Sequence, residues 1–164
     1  MIDIGQQAPD FNLKTYNNIS YKLASFDDKW LVLYFYPKDD TPGCTNEAID
    51  FSEIKNNFSK NNAQIIGISA DSGESHHKFI KKYDLKIPLL SDESKSVHKL
   101  YDAWGMKKNY GKEYEGVIRS TFIIDPQKII RYRWRNLQVR SKRAGNVIKH
   151  SDNVLKKLIK LQGE

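Results

Sequence analysis

The sequence predicts a mixed α/β protein, with a central mixed β-sheet flanked by helices on both faces and an N-terminal β-hairpin. Three observations lead there. WLVLYFY (residues 30–36) is an unbroken apolar and aromatic run of a strand's length, as strands buried on both faces are, and AQIIGISAD reads as a second buried strand. The stretches after them carry apolar residues at spacings of three and four, the period of amphipathic helices. The last third holds one alternating run, IIRYRWRN, and then a final helical stretch. Strands and helices that alternate along a chain build a sheet with helices over it.

Taken in order, DFNLKTY and ISYKLASF read as the N-terminal hairpin, turning at Asn17-Asn18. WLVLYFY follows and Pro37 ends it. From Thr45, residues Ala48, Phe51, Ile54, Lys55 and Phe58 define one side of a helix that Asn61-Asn62 closes. AQIIGISAD is a second buried strand. SGESHHKFIKKYDL opens with cap-type residues and places Phe79, Ile80 and Tyr83 on one helical side. IPLLSD is a short strand. ESKSVHKLYDAW is expected to be helical through Val97, Leu100, Tyr101 and Trp104, and residues 105–118 a Gly- and Lys-rich loop. STFIID is a strand and DPQK a turn. IIRYRWRN is a half-buried strand with Ile130, Tyr132 and Trp134 on one face and Arg131, Arg133 and Arg135 on the other. SDNVLKKLIKL ends the chain as an amphipathic helix through Val154, Leu155, Leu158, Ile159 and Leu161.

The 164 residues are expected to form one domain with one core. Apolar residues at 39% and aromatics at 12% suffice for a packed interior despite a mean hydropathy of −0.66. No run reaches the ~18 apolar residues of a membrane span, and MIDIGQQAPDF lacks a basic segment followed by an apolar one. The single cysteine excludes an internal disulfide framework and a Cys-rich zinc site, which fits a reduced, cytoplasmic setting. The net charge of +7 is unevenly placed. Between Pro126 and Ser151 there is no acid, while Lys128, Arg131, Arg133, Arg135, Arg140, Lys142, Arg143 and Lys149 crowd the same span. Charge runs are usually solvated faces, and the sharper alternative is a docking surface for an acidic reductant or for nucleic acid; the alternation of Tyr132 and Trp134 with arginines already has a strand explanation, so no nucleic-acid site is assigned. His76, His77, His98 and His150 lack metal-ligand spacing and are expected at the surface or at helix caps; no cofactor is expected.

That leaves Cys44. A free cysteine is more often inert packing than chemistry. Its setting argues otherwise. It sits where a buried strand hands over to a helix, and the carboxyl ends of such strands are where ligand sites form. A helix N-terminus offers unpaired N–H groups and the positive end of the dipole, both of which favour negative charge on sulfur. Gly43 removes bulk beside it, and Thr41 supplies a hydroxyl that can donate and accept.

The segment YFYPKDDTPGCTNEAIDF resembles the active-site segment of the peroxiredoxins, most nearly the bacterioferritin comigratory protein or PrxQ subfamily. The family pattern Pro-x-x-x-Thr/Ser-x-x-Cys reads here Pro37-Lys-Asp-Asp-Thr41-Pro-Gly-Cys44. GVIRSTFIID, with Arg119, is similar to the second signature, and GQQAPDFNL and AWGMKKNYGKEYEGVIRSTF also match. The resemblance runs from about Gly5 to Trp134 and resumes weakly in the last helix. It implies a thioredoxin-like fold and thiol-dependent reduction of hydrogen peroxide and organic hydroperoxides without metal, heme or flavin. It implies that Cys44 is the peroxidatic nucleophile and passes through a sulfenic acid. Thr41 would hold the peroxide. Arg119 would favour the thiolate and stabilise the developing charge. Pro37 would shield the sulfur from water, and Glu47 would orient the arginine. It also implies a monomer or weak homodimer.

One departure matters. Many members of that subfamily carry a second, resolving cysteine five residues after the first, where this chain has Ile49. The resemblance then implies a one-cysteine cycle closed by an external thiol: glutathione, or a thioredoxin-like or glutaredoxin-like protein. Two rival readings are a thiol–disulfide oxidoreductase, which needs two nearby cysteines, and a basic binding module in which Cys44 is a relic or redox sensor.

Overall fold

The computed structural model describes residues 2–164. Its centre is β3 (Trp30–Phe35), every residue of which after Trp30 is buried. β4 (Ala63–Ser69) runs parallel to β3 on one side. β8 (Ser120–Ile124) runs antiparallel to it on the other. With β1 (Asn12–Lys14), β2 (Ser20–Lys22), β5 (Leu89–Ser91) and β9 (Ile130–Arg135) they form a seven-stranded mixed sheet, ordered β2-β1-β5-β4-β3-β8-β9.

Alternation along β3 divides the interior into two cores. Leu31, Leu33 and Phe35 face one cluster with Phe11, Leu23, Phe26, Tyr101 and Phe122. Val32 and Tyr34 face the other, which holds Cys44, Ala48, Phe51, Phe58, Phe79, Val154 and Leu158. Helices α1 (Pro42–Glu53), α2 (Lys55–Lys60), α3 (Gly73–Tyr83) and α5 (His150–Gln162) supply that second cluster, while α4 (Ser96–Leu100) supplies Val97 to the first. Helices therefore flank both faces, as expected. Among the described residues no helix is long and apolar enough to cross a membrane.

Several expectations are corrected by backbone chemistry that side-chain patterns do not display. The helix expected from Thr45 starts at Pro42, because Thr41 is an extended N-cap and proline fits the first helical position, where its missing N–H costs nothing. It also breaks at Ile54, so α1 and α2 are separate. The helix expected through Trp104 stops at Leu100. Asp102 takes the left-handed conformation, and the N–H of Ala103 reaches back to the carbonyl of His98 at 2.8 Å, a Schellman-type stop without a glycine to announce it. Leu100 is consequently exposed, and Trp104 begins β6. The expected loop at 105–118 is largely a hairpin, β6 (Trp104–Asn109) and β7 (Lys112–Val117). Its turn, Tyr110-Gly111, has both φ values positive (51° and 76°), the geometry that matches strand twist. Ala144-Gly145 does the same for β10 (Arg140–Arg143) and β11 (Asn146–Lys149).

The three apolar residues of β9 do not share one face. A bulge between Ile123 and Ile124 shifts the register, so Ile130 joins the first core while Tyr132 and Trp134 pack on the second. Three of the four histidines are buried rather than superficial: His76 and His98 are fully enclosed, and His150 is 4% exposed. His77 is exposed and stacks on Tyr16.

Gly67 lies opposite Tyr34 on one side and Leu89 on the other. A Cβ there would meet Tyr34 Cζ and Leu89 Cδ2 at 2.8 Å. The glycine makes room for the Tyr34 ring, which stacks on Phe51 of α1 at 4.9 Å. Gly67→Ala should therefore lower stability by ~1–3 kcal/mol, the usual cost of overpacking. A fall in the urea midpoint at unchanged slope is the expected result, and an unchanged midpoint would contradict this packing account.

Candidate active site

Cys44 is the third residue of α1 and 2% exposed. The first N–H groups of a helix have no partner within it, and Pro42 has none to offer, so those of Gly43 and Cys44 stand at the positive end of the helix beside the sulfur. Arg119 arrives from the opposite direction in sequence. It immediately precedes β8, whose first residue, Ser120, pairs with Phe35 at the end of β3. The antiparallel register thus brings the arginine to the loop that β3 feeds.

There the guanidinium forks. Its Nη2 donates to Cys44 Sγ at 3.2 Å and its Nη1 to Glu47 Oε1 at 2.7 Å. Glu47 is three residues after Cys44, hence on the same side of α1, and its side chain is 1% exposed. A Cβ on residue 43 would stand 3.3 Å from Arg119 Nη2, so Gly43 keeps the guanidinium's path open. Burial opposes the charge on Arg119, but Glu47 and Cys44 overcome it and hold the arginine above its ordinary range. Burial pushes the Glu47 carboxyl up to about 7; Arg119 opposes this and Asp50 adds to it. Glu47 Oε2 has no partner among the described residues.

The loop that carries Pro37 and Thr41 is clamped onto α3. Asp39 accepts from Tyr36 at 2.6 Å, from Ser75 at 2.8 Å and from His76 Nδ1 at 2.7 Å, while its own N–H donates to Asp71 at 2.8 Å. Asp39, Asp71 and His76 thus converge within 4.8 Å. Both carboxylate oxygens of Asp39 and both ring nitrogens of His76 are engaged in this network, so the cluster reads as a clamp rather than a ligand set. Asp40, at positive φ, accepts from Lys82 at 2.9 Å and Tyr83 at 2.6 Å. Thr41 directs its hydroxyl hydrogen to the carbonyl of Lys38 at 2.8 Å, which leaves its oxygen lone pairs free to accept.

A second support lies along the side of α1. Asp50, 1% exposed, receives a two-pronged bond from Arg140 of β10, at 3.0 and 2.7 Å. Lys149 lies 3.5 Å from Glu53 and 3.8 Å from Asp50. Behind β8, His150 Nε2 lies 2.9 Å from Thr121 Oγ1, with its pKa pulled down to about 4 by burial and by Arg119. Much of the basic 126–151 segment is paired within the chain: Lys128 with Asp27, Arg131 with Asp125 and Glu164, Arg133 and Arg135 with Asp102. Lys142 and Arg143 have no acidic partner within 4 Å among the described residues.

Of the five residues expected at the site, Cys44, Arg119 and Glu47 form one hydrogen-bonded group. Thr41 is the N-cap of their helix, and half-buried Pro37 stands at the start of the clamped loop. Sequence reasoning missed the Asp39–His76 clamp and the Arg140–Asp50 pair, whose partners stand 37 and 90 residues apart with no local pattern to join them.

A mixed thioredoxin-type sheet with a buried cysteine, an arginine on its sulfur and a glutamate on the arginine defines a peroxide-reducing thiol enzyme. The comparisons with known proteins agree. The AhpC/TSA family model matches residues 4–133, and the chain belongs to that family. It is 47% identical over 139 residues to the peroxiredoxin Bcp of Bacillus subtilis, covering 85% of this chain and 88% of that protein. The structure of the Xanthomonas campestris bacterioferritin comigratory protein, solved in work on its alkyl peroxide reduction, superposes with a TM-score of 0.84 at 36% identity, covering 99% of this chain and 100% of the other. A yeast mitochondrial 1-Cys peroxiredoxin, described as resolved through glutathione and thioredoxin systems, gives a TM-score of 0.81 at 31% identity, covering 99% of this chain and 77% of its own. The chain is a peroxiredoxin of the Bcp/PrxQ type, a thiol-dependent peroxidase, and it carries one cysteine.

The buried carboxyl of Glu47 predicts a pH signature. Folded, it titrates near 7 against an ordinary value of 4.5, so the folded state holds more protons in that window. The stability it contributes is fully present below about 4.5 and is lost as pH rises through about 7. Glu47→Gln cannot titrate yet still accepts from Arg119. Its urea midpoint relative to the unmodified protein should rise between about pH 5 and about pH 8. A pH-independent difference would contradict the burial of this carboxyl. His150, whose shift has the opposite sign, cancels in the comparison.

Proposed function

We propose that residues 1–164 act as one peroxidase domain in which the Cys44 thiolate attacks a peroxide oxygen. The S–O bond forms as the O–O bond breaks. The leaving oxygen departs as water or an alcohol after taking a proton, and Cys44 becomes a sulfenic acid. The observation that carries this reading is the Arg119 fork, with one nitrogen on Sγ and the other on a buried glutamate.

The transition state moves negative charge from sulfur to the departing oxygen. A cation already fixed beside the sulfur can follow that charge without reorganisation, in a site drier than water. In this reading Glu47 holds Arg119 in place and Thr41 accepts from the peroxide through its free lone pairs. Pro37 stiffens the loop above and offers no N–H. The Asp39 clamp keeps that loop on α3. Hydrogen peroxide and organic hydroperoxides are the proposed substrates, in line with the alkyl peroxide activity of the Xanthomonas protein.

Reduction must come from outside, because Cys44 is the only cysteine. A second Cys44 could resolve it only if two buried sulfurs met. Glutathione, or a thioredoxin-like or glutaredoxin-like protein, would therefore restore the thiol. A stable sulfenate is also exposed to over-oxidation. The absence of a second sulfur likewise weighs against a thiol–disulfide oxidoreductase. Antioxidant service by a cytoplasmic monomer or weak homodimer completes the proposal.

The test is a single turnover of the reduced protein with one equivalent of peroxide, following formation of Cys44 sulfenate. Arg119→Ala should slow it by ~10²–10³, the usual cost of removing one fixed donor. Thr41→Val should slow it about tenfold, the worth of roughly one hydrogen bond. A rate in the unmodified protein no faster than a free thiol at the same pH would overturn the peroxidase role of Cys44. Unchanged rates in the variants would remove these two assignments.

A further inference from the structure

Beside the site lies a polar groove of about 590 Å³ with no assigned use. One wall is the first turns of α1, through Gly43 and Asn46; the other is the approach to β10 and its strand, residues 138–142. Arg119 also lines it. No acid lines it, while Arg119, Arg140 and Lys142 do. These cations differ in availability. Arg119 spends Nη1 on Glu47 and Nη2 on sulfur. Arg140 gives Nε and Nη2 to the buried Asp50, which fixes its plane and leaves Nη1 without a side-chain partner among the described residues. Lys142 is exposed and has no acidic partner there.

We propose that this groove is an anion subsite that takes the carboxylate of a small acidic thiol, the reductant of oxidised Cys44. The proposal rests on the one-cysteine peroxidase reading. Three observations join in it. The groove is lined by Gly43, the neighbour of Cys44, and by Arg119, whose guanidinium touches Cys44 Sγ, so a molecule held there lies one side chain from the reacting atom. Its charge is complementary to an acid, and its fixed guanidinium suits the planar, two-oxygen form of a carboxylate. Cys44 is 2% exposed on a helix pinned at Glu47 and Asp50, a setting that a slim thiol reaches more readily than a folded protein. The chemistry balances as follows. The thiol attacks Cys44 sulfenic acid, the S–O bond breaks and water leaves, giving a mixed disulfide. A second molecule of the thiol attacks the disulfide, frees Cys44 as a thiol and departs as the symmetrical disulfide.

The experiment separates the two half-reactions. Cys44 is first oxidised with one equivalent of hydrogen peroxide; failure at this stage would count against the peroxidase reading, not the subsite. The sulfenate is then reduced by glutathione, or by glutathione diethyl ester, which keeps the thiol and loses both carboxylate charges. Lys142→Glu should slow glutathione about tenfold, roughly twice the logarithmic effect of losing one exposed charge pair, and leave the ester within about twofold. Lys142→Arg should restore the unmodified rate, and added salt should weaken the preference for glutathione over the ester. Equal effects on both thiols, or none, would overturn the proposal. So would a Lys142→Glu defect confined to oxidation by a carboxylate-bearing hydroperoxide, which would assign the groove to the other substrate. A thioredoxin-like protein that reduces the sulfenate when glutathione does not would overturn it as well.

Discussion

The contact on which the site depends is the fork of Arg119. One guanidinium nitrogen meets a thiol sulfur and another meets a carboxylate, and all three groups are largely withdrawn from water. Neither charged group would be stable there alone. A buried carboxylate without its cation would take up a proton, and a buried guanidinium without its anions would lose most of its solvation with nothing in return. Together they stabilise one another through one carboxylate oxygen and the sulfur, and they leave the arginine's charge against the sulfur, where a reacting peroxide would develop its own.

The rest of the fold can be read as what holds that fork in register. β3 and β8 run antiparallel with Phe35 opposite Ser120, which sets residue 119 beside the loop leaving β3. Tyr34 stacks on Phe51 and so supports α1 from below. Asp39 and Asp40 fasten the loop before the cysteine to α3, and Arg140 fastens α1 to the late hairpin through Asp50. The basic stretch near the C-terminus is thereby largely structural: most of its charges meet acids of the same chain, while Lys142, which lines the groove, meets none among the described residues.

How much of this the sequence disclosed follows from the range of each signal. The buried strands, α3, α5 and the Cys44 turn were legible because apolar runs, helical periods and a Pro-Gly-Cys junction are local. The identity of Arg119 and Glu47 was legible through the resemblance of whole segments to a known family. The helix stop at Asp102 and the turns at Tyr110 and Ala144 were not, since each puts a non-glycine residue at positive φ. The bulge that sends Ile130 to the opposite face from Tyr132 was hidden because it is a property of two strands rather than one. The burial of His76 and His98 was hidden for a similar reason: their acids, Asp39 and Asp92, are supplied by the fold.

The position of Ile49 shapes the whole cycle. It packs against the second core, so no thiol stands there beside Cys44, and in the proposed cycle reduction falls to another molecule. The central claim remains the coupling of Arg119 to Glu47 at the sulfur. A double-mutant cycle on the single-turnover oxidation rate tests it most directly, comparing Arg119→Ala, Glu47→Ala and the pair. If Glu47 acts by holding Arg119, the double variant should be no slower than Arg119→Ala alone. Two losses that simply multiply would show that Glu47 acts independently and would contradict the account.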